Sequence, residues 1–466
     1  MNAPSKALIV SIGLGVLLNP LNSSMISVAI PRLQHTFQLD FATVSWIIFS
    51  FYITSAVAQP VMGKASDLFG RRRIFLVGLV ISFMASLLAP LSTGFGWLIF
   101  YRIVQSLGTS MLVAVGMAMV RIHVTEKQAT ALSVLAIFLS GAAAVGPFIG
   151  GLVIHWWSWP ALFFVNLPFA AASFLLSWRH IPKDDRSAFR AKGMPLRKWL
   201  AQVDASGILL FTAGLVALLV GVLSAKSAGH LSASHMLMGL AGLAILGAFV
   251  RHELRTDSPF IPLRVFAKSP EWTWIHIEYM AVNVVFYSLF FGLPSYLQTV
   301  RHLSELHTGI LMLSLGLCSL VSSPLAGRWV DKSGSRPALL LSSILMALGS
   351  AGLMVLHQAS PVYQVCLALA AFGMGNGLSQ VGLQAALFKS SPKEAAGVAS
   401  GIFNTSRYMG TILSSLLIGV IMGSSFSFQG FRALGFTLAA ITLSLIFLNL
   451  RRDTSSQTGR KQARQA

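Results

Sequence analysis

Arg102, Glu278 and Arg407 carry charge inside long apolar runs, and His276 adds a titratable ring to the same kind of interior. Near the centre of a membrane a charge costs at least about 2.5 kcal/mol, so such a residue persists where it binds a solute, relays a proton or pairs with another group. Arg407 belongs to a stripe, Ser400, Asn404, Arg407, Thr411 and Ser414, whose i, i+4, i+7, i+11, i+14 spacing puts them on one helix face. That face is expected to line water. Arg102 shares its own face with Gln105 and Thr109 and has no basic counterpart near Leu367 in the second half of the chain. His276, Met280, Asn283 and Tyr287 form a further polar stripe, from which Glu278 points away by roughly 200°. Two readings of Glu278 stay open, a proton site and a salt bridge near the inner leaflet. Two also fit His276, a group titrating near neutral pH and a cavity hydrogen-bonder.

The elements that must hold these residues are helices in lipid. The chain has 466 residues, 55% hydrophobic and 10% charged, with a mean hydropathy of +0.73. Soluble domains carry about 25% charged residues, so most of this chain must face lipid or other apolar helices. Runs of about 20 apolar residues predict fourteen spanning helices, the first over 7–30 and the last over 431–450. A net charge of +20 would suggest nucleic acid if the protein were soluble. Here Lys and Arg collect in alternate loops instead: Lys64 to Arg73, Arg121 to Lys127, Arg179 to Lys198, Arg251 to Lys268, Arg328 to Arg336, Lys389 to Lys393 and Arg451 onward. This is the positive-inside pattern, which places both termini in the cytoplasm and leaves no nucleic-acid partner to expect. Cys318 and Cys366 lie in apolar runs and define neither a disulfide framework nor a metal site. No nucleotide-binding loop or catalytic triad appears, so neither an enzyme nor a cofactor is expected. The run from Ala7 to Ile30 is too long for a leader and reads as the first span.

A charged turn recurs half the chain apart. Pro60, Gly63, Asp67, Gly70 and Arg72 map onto Pro324, Gly327, Asp331, Gly334 and Arg336 at a constant offset of 264 residues. Such a repeat points to a duplicated membrane unit. The expected organisation is a six-helix bundle over 1–180, a cytoplasmic loop over 181–203 and a two-helix insert over 204–250. A second loop follows over 251–271, then a six-helix bundle over 272–450 and a basic tail over 451–466 that is expected to be disordered.

Several segments resemble one known family. Gly63-x-x-x-Asp67-x-x-Gly70-Arg71-Arg72 and Arg102-x-x-Gln105-x-x-Gly108 are similar to two of its motifs, with Ser106 where glycine is usual, and the run Gly141 to Gly151 is similar to a third. Trp157-Ser158-Trp159, Asn166-Leu167-Pro168, Pro259 to Leu263, Leu293 to Gln298 and Gly397 to Arg407 follow in the same order. In these features the chain resembles the major facilitator superfamily, and within it the fourteen-helix drug:proton antiporter branch. The resemblance implies an all-helical integral membrane fold of two six-helix bundles with a two-helix insert. It implies a multidrug efflux activity by alternating access, with membrane lipid, a small-molecule solute and protons as partners and a monomer as the working form. It further implies a cytoplasmic gate built from Gly63, Asp67, Gly70, Arg71 and Arg72 and from Gly327, Asp331, Gly334 and Arg336. Asp67 would face the start of the thirteenth helix near Pro392 to Gly397, and Asp331 the start of the fifth near Thr125. Glycine at 63 and 70 is expected to let two helix ends meet closely. Gly141, Gly146, Pro147, Gly150 and Gly151 would give a smooth, bent fifth helix.

The first helix departs from the branch. Where the branch carries an aspartate, this chain reads Leu21-Asn22-Ser23-Ser24, and Asn22 cannot release a proton. Asn19, Asn22, Ser23 and Ser27 still form a polar stripe. The expected solute and proton pathway runs past Asn19, Asn22, Arg102, Gln105, His276, Glu278, Asn283, Asn376, Gln380, Asn404 and Arg407, with Glu278 or His276 replacing the missing carboxylate. With two arginines facing at most one carboxylate, neutral or anionic solutes are favoured. A specific metabolite exporter, or a membrane sensor of the same fold, is the alternative function.

Overall fold

In the computed structural model, the described residues are 3–123, 128–184, 204–227, 233–257, 259–261, 263–355, 360–390, 396–422 and 427–462. They contain fourteen helices long and apolar enough to cross a membrane. In chain order these are α1 (Lys6–Phe37), α2 (Phe41–Ser66), α3 (Arg71–Leu91), α4 (Phe95–Val120), α5 (Val134–Trp156), α6 (Ala161–His180) and α7 (Ala205–Val222). There follow α8 (Ala233–Glu253), α9 (Pro270–Thr299), α10 (Glu305–Ser333), α11 (Ser335–Val355), α12 (Val362–Leu387), α13 (Ile402–Met422) and α14 (Phe428–Leu450). The all-helical outcome follows from the solvent, because lipid offers no partner to an unpaired backbone N–H or C=O. α1 is interrupted at Leu17, between helical stretches Ala3–Val16 and Leu18–Phe37. The cause is local: Pro20 has no N–H to give the carbonyl of Val16.

α1 to α6 form one bundle and α9 to α14 the other, with α7 and α8 packed on each other beside them. The bundles meet where α5 lies along α10 and α2 along α13, and α1 touches α9. One end of the molecule, called the loop end here, carries the α1–α2, α5–α6 and α9–α10 connections; the other, the terminal end, carries the first and last described residues. Trp97, Trp156 and Trp157 are exposed at the loop end and Trp178 and Trp274 toward the terminal end, which marks two aromatic belts.

The loop end is closed by backbone contact. A Cβ on Gly309 of α10 would stand 2.7 Å from the carbonyl of Pro147 of α5. Cβ atoms on Gly151 and Gly316 would run into Glu305 and Ala144 of the facing helix. Gly146 and Gly150 instead let α5 pack on α1 of its own bundle, against Ser24 and Met25. The glycine set of the fifth helix therefore serves both faces of that helix. Gly141 is different, with nothing within 4 Å of its Cβ position. It lines an apolar crevice of about 270 Å³ with Leu17, Leu21, Ile137 and Phe138. Alongside the closed end, Gln298 of α9 donates to the carbonyl of Val28 of α1 at 2.9 Å.

The repeated turn is visible in the backbone. Gly70 and Gly334 both have positive φ, 101° and 78°, in the link between the second and third helix of each bundle, where a side chain would be strained. Gly63 and Gly327 have open space at their Cβ positions, which corrects the expectation that Gly63 serves a close approach. Both lie inside a helix, short of the turn that makes the contact. Asp184, just past α6, accepts from the amides of Arg72 and Arg73 at 3.1 Å each, capping the positive end of α3. Arg72 reaches the carbonyl of Trp178 on α6 at 2.5 Å, and its repeat partner Arg336 reaches those of Asn449 and Leu450 on α14 at 3.3 and 3.4 Å. Each arginine thus ties the turn to the last helix of its own bundle. The tail expected to be disordered continues α14 as helix to Gln462, since extending a formed helix avoids the nucleation cost.

The insert is fastened at the terminal end. Asp204, next to α7, accepts from the amides of Gly207 and Phe260 at 3.0 and 3.3 Å and pairs with His252 of α8 at 2.6 Å. Glu253 accepts from the amide of Ile261 at 2.9 Å. Burial pushes the Asp204 carboxyl up, but the bonds from His252, Gly207 and Phe260 outweigh it and hold the group below its ordinary value.

Two outcomes follow for the purified protein in detergent. Gly151→Ala is expected to cost about 1–3 kcal/mol by overpacking the α5–α10 contact, read as a lowered thermal midpoint, while Gly141→Ala leaves the midpoint unchanged. Because the folded value of Asp204 is depressed, its contribution is present above the ordinary carboxylate range and is lost as pH falls through the folded value. Asp204→Asn is therefore expected to melt below the wild type at neutral pH, and the gap to close on acidification.

Candidate functional site

The bundle interface holds a cluster of tyrosines around Arg407. Arg407 on α13 donates through Nη2 to the hydroxyl of Tyr408 at 3.2 Å, and its guanidinium lies 4.9 Å from that ring centroid. Tyr279 and Tyr287 of α9 and Tyr52 of α2 also lie within electrostatic range of it. Tyr52 closes the cage from the other bundle, with its ring 5.8 Å from Tyr408, 5.9 Å from Tyr287 and 6.2 Å from Phe291. Gln59 of α2 hydrogen-bonds the Tyr408 hydroxyl across the same interface. Tyr279 stacks on Phe403 at 3.6 Å and donates to Gln380 at 2.7 Å. Arg407, Asn404, Tyr287 and Gln380 keep partial exposure, whereas Tyr52, Tyr279 and Tyr408 are buried. The Nε of Arg407 has no hydrogen-bond partner although it is buried.

Arg102 forms a second cationic point, on α4. It is 1% exposed, lies 4.4 Å from the ring centroid of Phe51 and donates to Gln105 at 2.8 Å. Gln105 passes the chain of bonds to Ser86 of α3 at 2.8 Å. Ser106, standing where the resembled motif has glycine, donates to the carbonyl of Phe51 at 2.6 Å and so fixes α2 against α4. Tyr52 couples electrostatically to both guanidiniums, and its neighbour Phe51 carries the ring that faces Arg102. No described carboxylate pairs with either arginine; their bonds run to Gln105 and Tyr408.

The structure brings some expected residues together and separates others. Arg407, Asn404, Asn283, Gln380 and His276 gather on α9, α12 and α13. His276 is buried, bonds Ser406 of α13 at 2.9 Å and is ringed by Phe266, Trp272 and Phe403. Asn283 donates to the carbonyl of Tyr279, on its own helix. Asn376 bonds Ser319 of α10 at 3.0 Å, inside the second bundle. Asn22 accepts from Asn166 of α6 at 2.7 Å, and Asn19 donates to Thr109 of α4 at 3.1 Å, so both tie α1 into its own bundle. On α1 it is Ser23 that reaches Tyr52. Glu278 also turns inward, among contacts that include Asn449 of α14, which bonds it at 2.8 Å and also bonds Ser343 of α11. Asn449 is a neutral amide, so this bond decides neither the proton-site nor the salt-bridge reading of Glu278. The side chains of Asp67 and Ser400 are not described, Pro392 and Thr125 lie outside the described residues, and Asp331 is exposed.

Sequence reasoning missed Tyr52, Tyr279 and Tyr408. The available signal was composition: the chain has only seven tyrosines, and the four around Arg407 sit in spans that have phenylalanine at most other aromatic positions.

A family description of the Major Facilitator Superfamily matches residues 12–415. The chain is 41% identical over 446 residues to the "Uncharacterized MFS-type transporter YwoD" of Bacillus subtilis, covering 95% of this chain and 96% of the relative. It is 28% identical over 403 residues to the "Multidrug resistance protein B homolog" of Mycobacterium tuberculosis, covering 84% and 72%. Its fold is similar to the crystal structure of the nucleoside transporter NupG, with a TM-score of 0.67 at 11% identity over 96% of this chain and 99% of the other. Fourteen spans, two bundles marked by a repeated turn, and a match across most of the sequence lead to one assignment: the chain belongs to the Major Facilitator Superfamily and is a membrane transporter, not an enzyme.

Proposed function

We propose that this protein exports small amphipathic solutes across the cytoplasmic membrane by alternating access, coupled to proton influx. The observation that carries the reading is the aromatic and cationic cage at the bundle interface, closed off at the loop end by the α5–α10 contact. Rings contributed by both bundles give an apolar solute its contacts, and tyrosine hydroxyls with Arg407 give it a polar anchor. The positive-inside pattern turns the terminal end toward the cytoplasm, so solute enters the cage from that side. Separation of α5 from α10 would then release it at the loop end. The multidrug relative supports a solute of this kind. The chain works as a monomer in this reading.

His276 is the proton carrier we assign. The Ser406 hydroxyl donates to the carbonyl of Ile402 and accepts from Nδ1–H of His276, which leaves the buried, unpartnered Nε2 with the lone pair that a proton would take. Glu278 is left to hold α9 against α14.

Proteoliposomes loaded with a fluorescent amphipathic solute test both parts. Flux is expected to rise when a pH gradient is imposed at clamped zero potential, and His276→Gln is expected to cut that pH-driven component by about an order of magnitude while sparing solute exchange without a gradient. A wild-type rate indifferent to the gradient would exclude proton coupling. Solute that binds but never crosses would make the protein a sensor.

A further inference from the structure

Arg407 stands at the bundle interface and Arg102 inside the first bundle, and neither has a carboxylate partner among the described residues. Arg407 is held by the Tyr408 hydroxyl and three further tyrosines, and Arg102 by Gln105 and the face of Phe51. Among the described acidic residues, Asp257, Glu271 and Asp331 are exposed and Glu305 stands in the first turn of α10. Glu278 bonds Asn449, Asp204 and Glu253 fasten the insert, Asp184 caps α3 and Asp40 caps the start of α2. Asn22, in the place where an acid would offset this charge, is neutral and bonded to Asn166. Charge buried without a counter-ion carries a desolvation cost that an arriving anion relieves. Arg407 is also ready to receive one. Its Nε is buried and unpartnered, its guanidinium keeps partial exposure, and a guanidinium edge matches a carboxylate through two parallel bonds.

The surroundings specify the rest of the ligand. Tyr287 and Phe291 are stacked at 5.7 Å, Tyr52 meets both edge-on, and Tyr279 lies flat on Phe403. Planar rings in offset and edge-to-face sets accept a further planar ring at little ordering cost. From this we infer that the transported solute is an aromatic organic anion, its carboxylate or phenolate paired with Arg407 and its ring held among Tyr52, Tyr279, Tyr287 and Tyr408. Arg102, inside the first bundle and nearer the loop end, adds to the positive potential there. The inference rests on the transport reading above but not on its proton step, because an anion leaving a cell moves with the inside-negative potential.

The test compares three probes of one shape, 1-naphthoate, 1-naphthamide and 1-naphthylmethylammonium, binding to the full chain in nanodiscs. Naphthoate is expected to bind at least about tenfold tighter than either of the others, the scale of one charge-assisted contact. Arg407→Gln is expected to abolish that preference and Arg407→Lys to keep part of it. Naphthoate binding no tighter than the amide overturns the inference in the wild type alone, whatever the variants do to folding. An unchanged preference in a folded Arg407→Gln protein overturns the assigned anchor. Proteoliposome flux separates this failure from that of the transport reading. Movement of the ammonium probe with naphthoate excluded sinks the anion and keeps the transporter, whereas tight naphthoate binding without movement does the reverse.

Discussion

Close backbone contact between α5 and α10 is the constraint on which the rest of the molecule depends. Lipid tails are as apolar as leucine, so two helices gain little from hiding side chains and associate through van der Waals contact. Gly151, Gly309 and Gly316 remove the side chains that would keep these two helices apart. The contact closes the bundle interface at the loop end, and the tyrosine cage lies deeper along that interface. The alternating access proposed above would break this contact in every cycle, which favours a seam of many weak dispersion contacts over a few buried ion pairs.

Within each bundle the opposite choice prevails. Hydrogen bonds such as Asn22 to Asn166, Asn19 to Thr109, Asn376 to Ser319 and Asn449 to Glu278 join helices that stay together. The repeated turn follows the same division. Arg72 and Arg336, one repeat apart, each bond carbonyls on the last helix of their own bundle and stiffen it as a body. The described bonds across the interface are fewer, chiefly Gln59 to Tyr408 and Gln298 to Val28. The distribution suits two rigid bodies moving about a seam.

The cage also shows how charge is managed without carboxylates. A guanidinium among phenol rings keeps partial compensation from ring quadrupoles and hydroxyl oxygens, as Arg407 does with Tyr408 and Arg102 with Phe51. Such compensation is weaker than an ion pair, so the site stays receptive to a ligand.

Much of this was legible in the sequence, for a physical reason. A spanning helix needs about 20 apolar residues whatever surrounds it, so the fourteen spans are local properties. The turn at Gly70 and Gly334 is local too, because only glycine takes that backbone conformation without strain. Helical periodicity likewise put Arg407 and Asn404 on one face. What periodicity cannot say is which neighbour a face meets. Asn22 and Glu278 look like pathway residues by type and depth, and only packing turns them toward α6 and α14. Tyr52, Tyr287 and Tyr408, far apart in the chain, become one site only when α2, α9 and α13 converge. The sequence alone therefore determined the helices, their turns and the membrane setting, all of which follow from short stretches and the lipid solvent. Tertiary structure alone decided which polar groups hold a bundle together and which converge between the bundles, because that depends on the rotation of each helix against its neighbours.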